Sequence, residues 1–183
     1  GETRAQRALT FVSKHFYPLW IAASSGHVIV VKMILQIEGV DPNKAQPMTE
    51  ITPLFAASSK GHEWVVGLLL AHGATADAKT QTTSFMFGPM GLTPLFEASK
   101  GGHVAVVTRL LASGAVDVNQ RIGKGKRITP LMIAAHYGRE AVVTTLLSNG
   151  ADPLLATDDG DTAITIADRE GQAAVAALLH EAR

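Results

Sequence analysis

The sequence predicts an all-α fold, a stack of short helix pairs in which each pair is held by its neighbours. Three observations carry this. A unit seen most regularly as Gly91-Leu92-Thr93-Pro94-Leu95-Phe96-Glu97-Ala98-Ser99-Lys100-Gly101-Gly102-His103 returns five times along 183 residues. Small residues, Ala22-Ala23, Ala56-Ala57 and Ala134-Ala135, sit on the first helix of their units and allow close approach, while Leu, Val and Ile rows fill the second helix. Neither helix can bury its apolar side alone, so units must stack into a quasi-one-dimensional array.

Composition narrows the function classes. With 46% apolar residues there is material for a sizeable core. Formal net charge is zero and the pI is about 7.2, so no global attraction to nucleic acid or an anionic membrane is indicated. The absence of cysteine removes disulfides, thiolate metal sites and a cysteine nucleophile, and favours an intracellular, cytoplasmic setting. The longest apolar stretch, Val28 to Leu35, is short and carries Lys32, so no membrane span is expected. Gly1-Glu2-Thr3-Arg4 is not a signal peptide, and the missing initial Met is read as the mark of a segment cut from a longer protein.

Along the chain, Ala8, Leu9, Phe11, Val12 and Phe16 fall at roughly helical spacing with charges between them. They predict an amphipathic helix that ends near Ser13 and covers the first end of the stack. The first unit runs from Tyr17-Pro18-Leu19-Trp20 through Gly26-His27, with a second helix over Val28 to Gln36. Thr52-Pro53-Leu54-Phe55 opens the second, followed by Gly61-His62 and a helix from Trp64 to Ala71. In the third unit, Thr93 and Pro94 supply a cap and a residue that needs no amide partner, and the helix from Val104 to Ser113 stops at Gly114. Thr129-Pro130-Leu131-Met132 opens the fourth, with a helix from Glu140 to Ser148; the fifth runs from Thr162-Ala163 to a helix over Gln172 to His180.

These residues resemble the ankyrin repeat, a unit of about 33 residues with a Thr-Pro-Leu-His-x-Ala helix start. The Thr-Pro-Leu, Gly-His and Gly-Ala-Asp elements match its pattern over nearly everything after residue 16. The resemblance implies antiparallel helix pairs joined by finger-like hairpins in a curved solenoid. The divisions are an N-terminal capping helix over 1–16, repeats over 17–46, 47–87, 88–123 and 124–156, and a C-terminal capping repeat over 157–183. Thr-Ala in place of Thr-Pro marks the fifth copy as terminal.

Spacing locates the departures. Helix starts at 18, 53, 94, 130 and 163 give steps of 35, 41, 36 and 33, and the excess must sit in connections. The finger between repeats 2 and 3 carries eight extra residues, among them Phe85, Met86, Phe87 and Met90. Two readings stay open: these groups fold onto the neighbouring repeat, or they stand exposed as partner anchors. The next finger holds Arg121, Lys124, Lys126 and Arg127 without an acid, and the following one holds Asp158, Asp159 and Asp161. The two fingers either pair with each other or offer charge to a partner. Trp20, Phe55, Phe96, Met132 and Thr165 occupy the family's His position and are read as core packing along the stack.

No catalytic motif is present. Gly-x-Ser-x-Gly, the phosphate-binding Gly-x4-Gly-Lys-Ser/Thr loop, His-Glu-x-x-His and a dinucleotide glycine motif are all missing. His27, His62 and His103 recur once per repeat; packed helices lie about 8–10 Å apart, too far for one metal, so they are read as loop braces. No cofactor or metal is expected. The resemblance implies a non-enzymatic, monomeric protein-binding module, with partner contacts on finger loops and the concave ends of first helices around repeats 2–4. Those positions are Ser24, Ser25, Met48, Thr49, Ser59, Lys60, Phe85, Phe87, Met90, Lys100, Lys124, Lys126, His136, Tyr137, Arg169 and Glu170. A peptide with apolar and acidic residues suits them; nucleic acid does not. The alternative is a targeting arm of a larger enzyme or secreted effector.

Overall fold

A computed structural model describes residues 17–46, 49–80, 83–84, 88–89, 91–123 and 126–182. The helix expected before Ser13 lies outside them. Ten helices are described: α1 (Pro18–Ser24), α2 (Val28–Leu35), α3 (Pro53–Ser59), α4 (Glu63–Ala71), α5 (Pro94–Gly101), α6 (Val104–Ala112), α7 (Pro130–His136), α8 (Glu140–Ser148), α9 (Ala163–Arg169) and α10 (Ala173–Glu181). Each odd helix and the even one after it form a pair across a connection of two or three residues, which turns the chain back on itself. Odd helices pack on odd and even on even through all five repeats, so the fold is an all-α repeat solenoid.

The helix starts follow from local chemistry. Thr52, Thr93, Thr129 and Thr162 each accept the backbone amide three residues on, at 3.2–3.3 Å, which satisfies one of the donors a helix leaves unpaired. Proline follows in the first three, where its missing N–H costs nothing. Tyr17 stands in the same place at α1 and supplies no side-chain cap. The second helices begin at Val28, Glu63, Val104, Glu140 and Ala173; the residue ahead of each holds a non-helical ψ of 67–78°. Helix bounds therefore shift by one residue from the expectation. Gln36 and Ser113 become C-caps, Gln172 becomes an N-cap, and Glu63 joins its helix.

The packing corrects one register. Ala22, Ala57, Ala98, Ala134 and Ala167 form one fully buried column, each four residues after its helix start. Ala56-Ala57 is thus offset by one from Ala22-Ala23 and Ala134-Ala135; Ala56 occupies the row of Ile21 and Ile133. A methyl group is the largest side chain that lets five first helices stack closely at that point. Phe55, Phe96 and Met132 are buried as expected; Trp20 is half-buried and Thr165, at the end of the stack, is exposed.

Fingers close by short backbone pairing. Gln46 N donates to Ile51 O, Thr80 N to Leu92 O, Ile122 pairs with Ile128, and Ala156 with Thr162. The longest finger is a hairpin, β1 (Thr83–Ser84) antiparallel to β2 (Gly88–Pro89), with Thr83 opposite Pro89 and Ser84 opposite Gly88. Asparagines tie neighbouring repeats below the fingers. Asn43 Nδ2 donates to Gly73 O and its Oδ1 accepts from Thr75 N; Asn119 does the same with Gly150 O and Asp152 N. Repeat 2 has Asp77 at the corresponding place, a carboxylate with no amide hydrogen to donate, so the junction that carries the long finger lacks this two-way tie.

Candidate partner-binding surface

The C-terminal end of each first helix presents the same two positions five times. Ser24, Ser59, Lys100, His136 and Arg169 form one row, and Ser25, Lys60, Gly101, Tyr137 and Glu170 the next. The first row is built into the scaffold through its backbone. His62 Nε2 lies 3.1 Å from Ser24 O, His103 Nε2 lies 3.1 Å from Ser59 O, Arg139 Nε donates to Lys100 O at 3.0 Å, and Gln172 Nε2 donates to His136 O at 3.5 Å. Carbonyls accept, so both histidines carry their proton on Nε2. The Gly-His positions are braces between repeats, and the backbone carbonyls they fix leave the side chains of the row free to vary.

Repeats 4 and 5 enclose a recess of about 180 Å³ on this side. Its floor is Ile128, Met132, Ile133 and Ile166; its rim holds Lys126, His136, Asp159, Asp161, Arg169 and Glu170. An ion pair and a histidine–carboxylate contact order the rim. Arg169 grips Asp161 through both guanidinium nitrogens, one at 2.9 Å, and His136 Nδ1 lies 3.3 Å from Glu170 Oε1. The hydrogen bonds from Arg169, assisted by its charge, hold the Asp161 carboxyl below the usual carboxylate range and raise Arg169 in turn.

The basic and acidic fingers do meet. Arg127 Nε is 3.2 Å from Asp158 Oδ1, Asp158 N donates to Lys126 O, and Arg121 Nη2 donates to Ala156 O at 2.9 Å. Two of the cations in that finger are therefore spent on the neighbouring repeat. Arg127 also holds φ at +51°, in the left-handed region that L side chains disfavour.

Of the expected contact residues, Lys126, His136, Arg169 and Glu170 converge on the recess. Ser24, Ser25, Ser59, Lys60 and Lys100 lie on the same side along the earlier repeats, where Lys100 also pairs with Glu97 at 3.5 Å. Tyr137 is turned partly into the core, edge-on to His136 with centroids 4.8 Å apart. Thr49 spends its hydroxyl inside its own finger, donating to Gln46 Oε1 at 2.7 Å. Met48, Phe85, Phe87, Met90 and Lys124 lie outside the described residues. The sequence reading named Asp159 and Asp161 as an acidic finger without placing them in the contact set, and it missed Ile166; the signal was available in the repeat register, which puts Ile166 one turn below Arg169 on α9. On the opposite side, exposed Trp64 is stacked by the Arg109 guanidinium at 5.1 Å, and Arg109 pairs with Glu63 at 2.7 Å.

Stacked helix pairs with paired-backbone fingers and a surface of repeating helix ends define a solenoid repeat protein. The family model for ankyrin repeats matches three times, over residues 19–122, 75–157 and 116–183, and the chain belongs to the ankyrin-repeat family. No curated protein matches the sequence. Ankyrin repeats are generally protein–protein interaction modules, and the family is typically non-catalytic. Among the described residues no helix is long and apolar enough to cross a membrane.

Proposed function

We propose that this chain is a non-catalytic module that binds a protein or peptide partner across its finger loops and first-helix ends, centred on repeats 2–4 and reaching the recess beside repeat 5. The observation that carries this reading is the recess itself. Apolar floor residues Met132, Ile133 and Ile166 lie beneath a charged rim, which suits one large apolar side chain anchored among polar contacts. Lys60, Lys100 and Lys126 along the same side favour a partner with acidic residues next to that anchor. Phe85, Phe87 and Met90, on the finger between repeats 2 and 3, supply a second apolar contact point. Affinity then rests on two anchors rather than on area.

The experiment is a comparison of partner binding by the parent chain and by finger variants, with partners selected from a displayed peptide library. Phe85→Ala with Phe87→Ala, and separately Lys124→Glu with Lys126→Glu, are expected to weaken binding at least tenfold, the usual effect of removing an anchor or reversing a steering charge. Trp64→Ala, on the opposite side, serves as the control and leaves binding intact. Retention of full affinity by both finger pairs overturns the reading.

A further inference from the structure

The two ends of the stack differ in chemistry. At the C-terminal end the last helix exposes Ala174, Ala177, His180 and Glu181, a small and polar surface fit for water. The N-terminal end exposes large apolar groups. Val30 is 45% exposed, whereas Val65, Val106, Val142 and Val175, at the same position in the later repeats, are 0–1% exposed. Ile21 is 51% exposed while Ala56 and Ile133 in its row are buried. Met33 is 62% exposed while Leu68, Arg109, Thr145 and Leu178 are all half-buried. In every later repeat these rows are covered by the repeat before; in the first repeat none of the described residues covers them.

A polar signal agrees. His62, His103, Arg139 and Gln172 each reach back to a carbonyl of the preceding repeat. His27 occupies the same position, is exposed, and its ring has no partner among the described residues. The first repeat thus carries both the apolar row and the polar brace of an internal repeat. It is shaped to be packed upon.

We propose that residues 1–16 of this chain are the occupant of that face. They join α1 directly at Tyr17, so docking is intramolecular and the effective concentration is high. A helix over Glu2 to Ser13 spans about 18 Å, about one and a half times the length of α1 or α2, and leaves the residues up to Tyr17 as the link that turns it back onto them. Ala8, Leu9, Phe11 and Val12 fall on one side of such a helix, with Glu2, Gln6, Arg7 and Thr10 opposite, and Phe16 follows in the link. The apolar stripe meets Ile21, Val30 and Met33; the polar side replaces their exposed surface with one suited to water.

The test uses the whole chain. Met33 is the reporter, because methionine oxidation by peroxide follows exposure, and buried Met132 is the internal control for an intact fold. In the parent chain Met33 is expected to oxidise slowly. Phe11→Glu with Phe16→Glu is expected to raise its rate several-fold while Met132 stays protected. An unchanged Met33 rate overturns the proposal. A milder pair gives an independent reading: Phe11→Ala and Val30→Ala each lower the melting temperature by a few degrees, and together by less than the sum, because they remove the same contact. Fully additive losses, or a Phe11→Ala chain that melts like the parent, overturn it. So does Met33 protection that vanishes on dilution, since a second copy of the chain is then the occupant.

Discussion

His62 Nε2 sits 3.1 Å from the carbonyl oxygen of Ser24, 38 residues earlier in the chain. That bond joins the start of one second helix to the end of the previous first helix, and the same bond recurs with His103, Arg139 and Gln172. It explains why a histidine repeated once per unit belongs to architecture rather than catalysis.

His62→Ala is expected to lower stability by about 1–2 kcal/mol, the cost of one part-buried hydrogen bond plus lost ring contact. Gly61→Ala should cost more. Gly61 holds φ at +77°, and an added Cβ would stand 2.6 Å from His103 Nδ1, so backbone strain and displacement of the brace add to about 2–3 kcal/mol. Gly171→Ala meets only the strain, about 1 kcal/mol, because its added Cβ has nothing within 4 Å. Urea unfolding of the three variants checks the order.

Ala134→Glu places a carboxylate in the buried alanine column between α5 and α9. The expected loss is about 4–5 kcal/mol or more, enough to remove the single cooperative transition of the array. A melting curve unchanged from the parent would contradict the column.

Thr93→Ala removes the Oγ1 that accepts from Phe96 N at 3.3 Å. The expected cost is about 1 kcal/mol. Thr93→Ser keeps the acceptor and should recover most of it, as read by thermal melting.

Acid should loosen repeat 5 through Asp161. Its carboxyl is held below the usual range by Arg169, so the folded state binds that proton less readily than the unfolded chain. The stabilisation is complete above the ordinary carboxylate range and is lost as pH falls through the lowered folded value. The pair is exposed, so the effect is small and shrinks in salt. Asp161→Asn should flatten the acid limb of the stability profile, and an unaltered limb would show that another carboxylate governs it.

Much of the scaffold was legible because its causes are local. Thr-Pro dictates where Thr93 and Thr129 cap a helix, and the glycine before each second helix dictates the turn. The brace role of His62 and His103 followed from their recurrence. Counting four residues from each helix start also gives the alanine column of Ala22, Ala57, Ala98, Ala134 and Ala167, which matching Ala-Ala pairs by composition passes over. Contact adds that α1 and α5 bury Ala57.

On the binding side, the sequence by itself identified the repeat, the irregular fingers and the recurring helix ends, all of which depend on residue type and spacing along the chain. Tertiary structure decided what those residues spend their chemistry on. Arg121 and Arg127, equivalent to free cations in a linear reading, reach the neighbouring finger, while Lys126, His136, Arg169 and Glu170 converge with Asp159, Asp161 and Ile166 on one recess. Residues 33–36 positions apart become neighbours only when repeats stack. The same stacking makes Val30 an exposed side chain and Val65 a core one, although both valines stand in the same local sequence role.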